Sequence, residues 1–135
     1  MPNSQQINWM RDIRRHLHQH PELAFAEFAT ARCIAGQLKE LGIPFREQVG
    51  KTGIVATLGS TEAKAPCVAL RADMDALPIT EQTGLPFASK TPGVMHACGH
   101  DGHVAMLLGA AALLKAKEAD LPGRVVLIFQ PAEEG

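Results

Sequence analysis

The chain has 135 residues, of which 46% are hydrophobic and 20% are charged, and its formal net charge is −1. This length and composition suit one globular domain, and the near-zero charge gives no reason to expect nucleic acid or an anionic membrane surface as a partner. No apolar run reaches the roughly 20 residues that a membrane-spanning helix needs.

Two amphipathic helices are predicted in the amino-terminal third of the chain. Asn3 or Ser4 can cap a first helix over about residues 4–18, whose apolar residues recur on one face. A second helix is predicted over about residues 27–41, again from apolar spacings of three and four. The sequence Gly-Ile-Pro at 42–44 ends it.

The remaining chain predicts strands on either side of one buried helix. Residues 45–60 form two β-prone runs around a Gly-Lys-Thr-Gly turn, which is typical of a hairpin. A strand at 67–72, an irregular stretch at 76–97, a helix at 101–117 and an apolar strand at 124–130 follow. The strand–helix–strand order predicts a right-handed unit with parallel strands. We also expect the strand at 124–130 to present an unpaired apolar edge in this chain.

Ionisable residues follow both predicted parallel strands and precede the helix between them. They are Asp73 with Asp75, Cys98 with His100, and Glu133 with Glu134. Ligands of open α/β sheets bind at the edge where parallel strands end. We therefore expect these pairs to meet in one place.

Cys98 and His100 have the composition of a metal site. Only Gly99 separates them, so a locally extended backbone directs both side chains to one side. A thiolate and an imidazole suit zinc, and tolerate manganese, nickel or cobalt when oxygen ligands complete the shell. The alternative is a buried cysteine beside a helix-capping turn.

Glu133 and Glu134 are adjacent, so an extended backbone directs them to opposite sides. This predicts that one carboxylate binds metal while its neighbour accepts and returns a proton. The alternative is a solvated acidic turn after a strand.

Asp73 and Asp75 have several possible roles. Either can accept a hydrogen bond from a ligating imidazole, bind metal directly, or cap a turn near Pro78. His103 is expected beside the site rather than as a ligand, and the role of His96 is open.

The cysteines and the amino terminus favour a cytoplasmic protein. Cys33, Cys67 and Cys98 are odd in number and widely spaced, which does not suit a disulfide framework. The first residues are polar and lack the basic-then-apolar layout of a secretory signal.

Four stretches resemble a known enzyme family. They are "RRHLHQHPELAFAE", "ALRADMDALPITE", "GVMHACGHDGHVAMLLGAAALL" and "GRVVLIFQPAEEG". They are similar to the N-acyl-amino-acid amidohydrolases of bacteria and plants, which include hippurate hydrolases, indoleacetyl-amino-acid hydrolases and N-acetyl-diaminopimelate deacetylases. That family belongs to a superfamily of binuclear zinc metallopeptidases with carboxypeptidase G and aminoacylases. The resemblance implies an α/β, zinc-peptidase-like catalytic domain with a mixed, largely parallel sheet and flanking helices.

The resemblance also implies roles for individual residues. The implied metal ligands are Cys98, His100 and Glu134. Glu133 would be the general base and then the general acid, and Asp75 would orient the metal centre. Asp73 stands where the wider superfamily has a ligating histidine, so its role is open. One or two divalent ions are implied, most readily zinc or manganese, with nickel or cobalt as other choices.

The implied activity is hydrolysis of N-acyl-amino acids, small molecules, by a metal-activated water. Members of the family are roughly two to three times longer, a length that suits two domains. They carry two further histidine ligands and a lid domain that dimerises. Residues 1–135 are thus expected to be the amino-terminal part of the catalytic domain, inactive alone, of a homo-oligomeric enzyme. Two alternatives are a hydrolase with Cys98 as nucleophile and a metal-binding module without catalysis.

Overall fold

The computed structural model describes all of residues 1–135 and confirms the predicted elements to within two residues at their ends. The helices are α1 (Ser4–Gln19), α2 (Phe28–Glu40) and α3 (His100–Lys115), with a short 3₁₀ helix at Glu118–Asp120. The strands are β1 (Phe45–Val49), β2 (Gly53–Gly59), β3 (Cys67–Asp73) and β4 (Arg124–Gln130). None of the helices is long and apolar enough to cross a membrane.

The strands form one four-stranded mixed sheet in the order β1-β2-β4-β3. The β1–β2 hairpin is antiparallel, as predicted, and β2 also pairs antiparallel with β4. β3 and β4 are parallel and in continuous register from Cys67↔Arg124 to Asp73↔Gln130. Within this chain the parallel character expected from the resemblance is confined to the pair that carries the site.

The prediction that the strand at 124–130 has an unpaired edge is wrong. The hairpin supplies a partner on its second side, because β2 pairs with β4 from Ile54↔Phe129 to Gly59↔Arg124. β4 is therefore interior, and β3 has the free edge beside it. Val68 in β3 is 59% exposed, which leaves an apolar side chain at that edge.

The core lies between the helices and the sheet. α1 packs on α3, and α3 packs on β3, while α2 contacts the β1–β2 hairpin. Gly109 leaves room for Met10 of α1 to pack on α3, since a Cβ there would lie 2.1 Å from the Met10 sulfur and that side chain would have to move. α3 is largely buried, as its apolar sequence predicts, and its first residues, His100 and Asp101, lie at the edge where β3 and β4 end.

The free edge of β3 predicts self-association of the 135-residue chain. An exposed apolar strand edge offers unpaired backbone groups to a second molecule, and a lysine at the edge disfavours such pairing. We expect Val68→Lys to lower the apparent mass seen by light scattering over a concentration series. Ile7→Lys replaces an exposed apolar residue of α1 and should change nothing. A wild-type chain that stays monomeric at every concentration would contradict this prediction.

Candidate metal centre

Chain geometry brings the predicted residues to one edge of the sheet. The expected extended backbone between Cys98 and His100 is wrong: Gly99 has φ +85°, and this left-handed residue turns the chain sharply into α3. Ala132, two residues after the end of β4, also has a left-handed backbone, with φ +52°. A non-glycine residue in that region costs about 1–2 kcal/mol, so its surroundings must hold it there.

Cys98, His100 and Glu134 form a group of ligand atoms that lie within 4.8 Å of one another. His100 Nε2 is 3.9 Å from Glu134 Oε1 and 3.8 Å from Glu133 Oε2. Ligand atoms around a tetrahedral ion with bonds of about 2.0–2.3 Å lie about 3.5 Å apart. The three groups are thus close to coordinating distance, and Glu133 stands beside them. Their roles as ligands and base stay a prediction.

The imidazole of His100 is oriented by Asp75. Nδ1 donates to the Asp75 backbone carbonyl at 2.9 Å and lies 3.3 Å from the Asp75 carboxylate. Nδ1 therefore carries the proton, and the lone pair of Nε2 is directed toward Glu133 and Glu134, called the acidic pair below. A metal ion binds this tautomer through Nε2. Asp75 Oδ2 also accepts the backbone N–H of Glu134 at 2.9 Å. One buried aspartate thus fixes residues of two separate segments.

Unpartnered carboxylate oxygens test whether this site suits a cation. Oδ1 of Asp73 and Oδ1 of Asp75 are buried and lack hydrogen-bond donors. An unsatisfied buried acceptor is costly, and a buried carboxylate more so. With a thiol, an imidazole and Glu134 beside them, these acids fit a divalent metal ion.

A second group, formed by Asp73, His100 and His103, also has ligand atoms within 4.8 Å. It shares His100, whose Nδ1 is already engaged, so only Nε2 is free for one of the two groups. The Arg71 guanidinium lies 3.3 Å from Asp73 and competes with a cation there. The group with Cys98 is therefore better suited to an ion, and the role of Asp73 stays open.

The thiol of Cys98 lies in an acidic environment. Hydrogen bonding to the Glu134 carboxylate, then partial desolvation and the negative charges of Glu134, Glu133 and Asp73, raise the pKa of Cys98. A bound divalent cation reverses this electrostatic balance and deprotonates a coordinating thiol. The surroundings thus suit a metal ligand better than a free thiolate nucleophile.

His96, whose role the sequence left open, is a buried and uncharged histidine. Neither ring nitrogen has a hydrogen-bond partner, and the residue is 4% exposed. Burial lowers the pKa of His96 to about 4, against the opposing charge of Asp101. It belongs to neither group of candidate ligands.

A buried network beside the site was missed by sequence reasoning. Asp101 Oδ2 accepts from Arg14 Nε at 3.1 Å and contacts His18 Nδ1 at 2.8 Å. His18 Nε2 lies 3.2 Å from Glu81 Oε1. The network connects α1 and the irregular stretch at 76–97 to Asp101, the residue after His100. The sequence feature that could have indicated it is the four-residue spacing of Arg14 and His18, which places both side chains on one helix face.

Glu27, which sequence reasoning had placed at the start of the second helix, was also missed. Its carboxylate is completely buried and accepts the backbone N–H of Ala132 at 2.8 Å. No local pattern links these residues, which are 105 positions apart.

The network predicts a pH dependence of stability through Glu81. Burial would raise the pKa of Glu81, but hydrogen bonds from the Thr83 hydroxyl and the Ser89 N–H outweigh it and hold the pKa below its ordinary value of 4.5. The ionised carboxylate therefore stabilises the fold above that value, and the contribution is lost as pH falls through the lowered pKa. We expect Glu81→Gln to lower the free energy of unfolding near neutral pH and to flatten its decline in acid, measured by urea unfolding.

Glu62→Gln, at an exposed position, is the control and should leave the pH profile unchanged. An identical acid slope in wild type and Glu81→Gln would contradict the assignment.

Comparisons with known proteins agree with this fold. A profile described as "Peptidase family M20/M25/M40" matches residues 69–135. The chain is 58% identical over 122 residues to an N-acetyl-L-cysteine deacetylase of Bacillus subtilis, covering 90% of this chain and 29% of that protein. It is 55% identical over 128 residues to IAA-amino acid hydrolase ILR1-like 6 of Arabidopsis thaliana, covering 95% of this chain and 27% of that protein.

A solved structure carries the same fold. The Bacillus subtilis YXEP protein, described as a dinuclear metal binding peptidase from the M20 family, superposes with a TM-score of 0.92 at 48% identity. The match covers 98% of this chain and 37% of that one. The chain thus spans about a third of the length of the proteins it matches, and the expected α/β fold is confirmed. Residues 69–135 match peptidase family M20/M25/M40, and this part of the chain carries the candidate metal centre.

Proposed function

We propose that the complete protein hydrolyses the amide bond of small N-acyl-amino acids, and that Cys98, His100 and Glu134 hold part of its metal centre. The observation that carries the proposal is the meeting of these three ligand atoms within 4.8 Å, with Glu133 beside them. The two relatives' names support the substrate class, because N-acetyl-cysteine and the IAA-amino acids both join an acyl group to an amino acid. Hippurate-like compounds belong to the same class.

Glu133 is the proposed proton carrier. Its side chain is 38% exposed, against 24% for Glu134, and it lies outside the ligand group while remaining close to His100. A bound divalent ion would polarise the substrate carbonyl and lower the pKa of the attacking water. Glu133 removes a proton from that water as its oxygen bonds to the carbonyl carbon. The same carboxyl then returns the proton to the amine as the carbon–nitrogen bond breaks.

The ligand types favour zinc or manganese, with nickel or cobalt as weaker choices. One thiolate, one imidazole and one carboxylate leave positions for further ligands, for a second ion and for substrate. We propose that the remaining two-thirds of the complete protein supply these ligands, the pocket walls and the contacts of a homo-oligomer. For the 135-residue chain alone we expect metal binding without amidase activity.

The cysteine-nucleophile alternative has less support. Cys98 is surrounded by carboxylates that raise its pKa, whereas a nucleophilic cysteine needs neighbours that lower it. All three cysteines are free thiols, which supports the proposal of a reducing, cytoplasmic compartment.

Metal binding by the chain tests the ligand set. Cobalt(II) gives a thiolate-to-metal charge-transfer absorption only when sulfur coordinates it. We expect this band in the wild-type chain and its loss in Cys98→Ser, with affinity falling beyond the about 10- to 100-fold typical of changes outside the ligand set. Cys67→Ser alters another exposed free thiol and should keep the band. A band that survives in Cys98→Ser would refute Cys98 as a ligand.

The division of labour within the acidic pair is testable in the complete protein. Glu133→Gln should lower kcat by about 10²–10⁴-fold, since it removes the proton carrier, and leave metal content near wild type. Glu134→Gln should lose metal as well as activity. Hydrolysis of N-acetyl-amino acids and hippurate, followed together with metal analysis, reports both quantities. Equal metal contents in the two variants would contradict the assigned roles.

A further inference from the structure

We infer that Glu27 is a positioning residue that holds the backbone of the acidic pair and thereby aims Glu134 at the metal, an inference that rests on the proposed ligand role of Glu134. Glu27 precedes α2, yet its carboxylate makes no capping bond to that helix. It is completely buried and directed toward two other segments of the chain.

Both oxygens of the carboxylate are used. Oε2 accepts from the Thr52 hydroxyl at 2.5 Å, in the turn between β1 and β2. Oε1 accepts from the backbone N–H of Ala132 at 2.8 Å, directly before Glu133. Glu27 therefore joins the hairpin turn to the segment that carries the acidic pair.

The Ala132 contact lies where the chain needs an external restraint. Ala132 has φ +52°, in the left-handed region that an alanine rarely adopts. Its neighbour Pro131 packs on the hairpin at Gly53, where a Cβ would lie 2.7 Å from Pro131 Cδ. The proline fixes the position of this segment, and the hydrogen bond that the Ala132 N–H donates to Glu27 fixes the direction of the next peptide.

A second carboxylate holds the other side of the pair. Asp75 Oδ2 accepts the N–H of Glu134, and the Asp75 backbone carbonyl orients His100. Residues 132 and 134 are thus each restrained by a buried acid, with Glu133 between them. Loss of the contact between Glu27 and Ala132 removes one of these restraints, while the contact between Asp75 and Glu134 remains.

The two contacts of Glu27 depend on the length of its side chain rather than on its charge. Both partners are neutral donors, and Glu27 forms no ion pair. A glutamine keeps the Oε1 acceptor for Ala132, and the Thr52 hydroxyl can rotate to accept from its amide. An aspartate keeps the charge but is one methylene too short to contact both partners.

The matched variants Glu27→Gln and Glu27→Asp therefore separate the two properties. The probe is cobalt(II) alone, titrated into the 135-residue chain and followed by the thiolate-to-cobalt band. We expect Glu27→Gln to bind within about threefold of wild type and Glu27→Asp to bind about 10- to 100-fold more weakly, as for other residues that orient ligands. The band of Glu27→Asp should also change in shape, because Glu134 no longer approaches from the same direction.

Ile34→Val controls for general loss of stability. Ile34 is buried in α2 and belongs to the core, so the variant lowers stability without touching the segment after β4. It should leave the cobalt affinity of the folded protein unchanged. Thr52→Val tests the same contact from its other end, and keeps the test decisive if Glu27→Asp does not fold. We expect it to weaken cobalt binding in the same direction, by less.

Several results would overturn the inference. Folded Glu27→Asp with wild-type affinity and band shape would show a purely structural role, as would folded Thr52→Val with unchanged affinity. Equal losses in Glu27→Gln and Glu27→Asp would show that charge matters instead of reach. A wild-type chain without the thiolate-to-cobalt band would refute the proposed metal centre itself, which distinguishes that failure from a failure of the Glu27 inference.

Discussion

Parallel pairing of β3 with β4 places Asp73 beside Gln130, so the chain leaves both strands at the same point of the sheet edge. The segment after β3 carries Asp75 and the segment after β4 carries the acidic pair. α3 begins at this edge with His100, since the helix packs back on β3. Every candidate ligand therefore depends on this register, and a slip by one residue would turn the strand ends to the opposite face.

Buried carboxylates connect this edge to the rest of the molecule. Glu27, Asp75 and Asp101 each accept a hydrogen bond from a distant segment, and Glu81 accepts one from Ser89 in its own loop and contacts His18 of α1. A buried carboxylate is unfavourable unless donors surround it, so each acid fixes the donors it collects. The loops that carry the site are consequently held by polar contacts, while the apolar core holds the helices and the sheet.

The acids of the site itself, Asp73, Asp75, Glu133 and Glu134, leave it electrostatically unbalanced without a cation. One oxygen of Asp73 and one of Asp75, Oδ1 in each case, have no donor, and the carboxylates near Cys98 raise its pKa. A divalent ion would neutralise the unpartnered carboxylate oxygens and would bind the Cys98 thiol as a thiolate, because it supplies positive charge at both places. This argues that the metal and the acidic edge stabilise one another, as coupling between metal binding and folding requires.

The sequence alone determined the helices, the strands, the parallel pair and the meeting of Cys98, His100 and Glu134, since periodicity and strand order are local properties. It also supplied the family resemblance through short motifs. Only the tertiary structure decided that β2 covers the second side of β4, that Asp75 orients His100 mainly through its backbone carbonyl, and that Glu27 reaches Ala132. These contacts join residues far apart in the chain. One partner is often a backbone N–H or carbonyl group, which nearly every residue possesses. No residue pattern can reveal such contacts, because the folded path of the chain selects which of those groups meet.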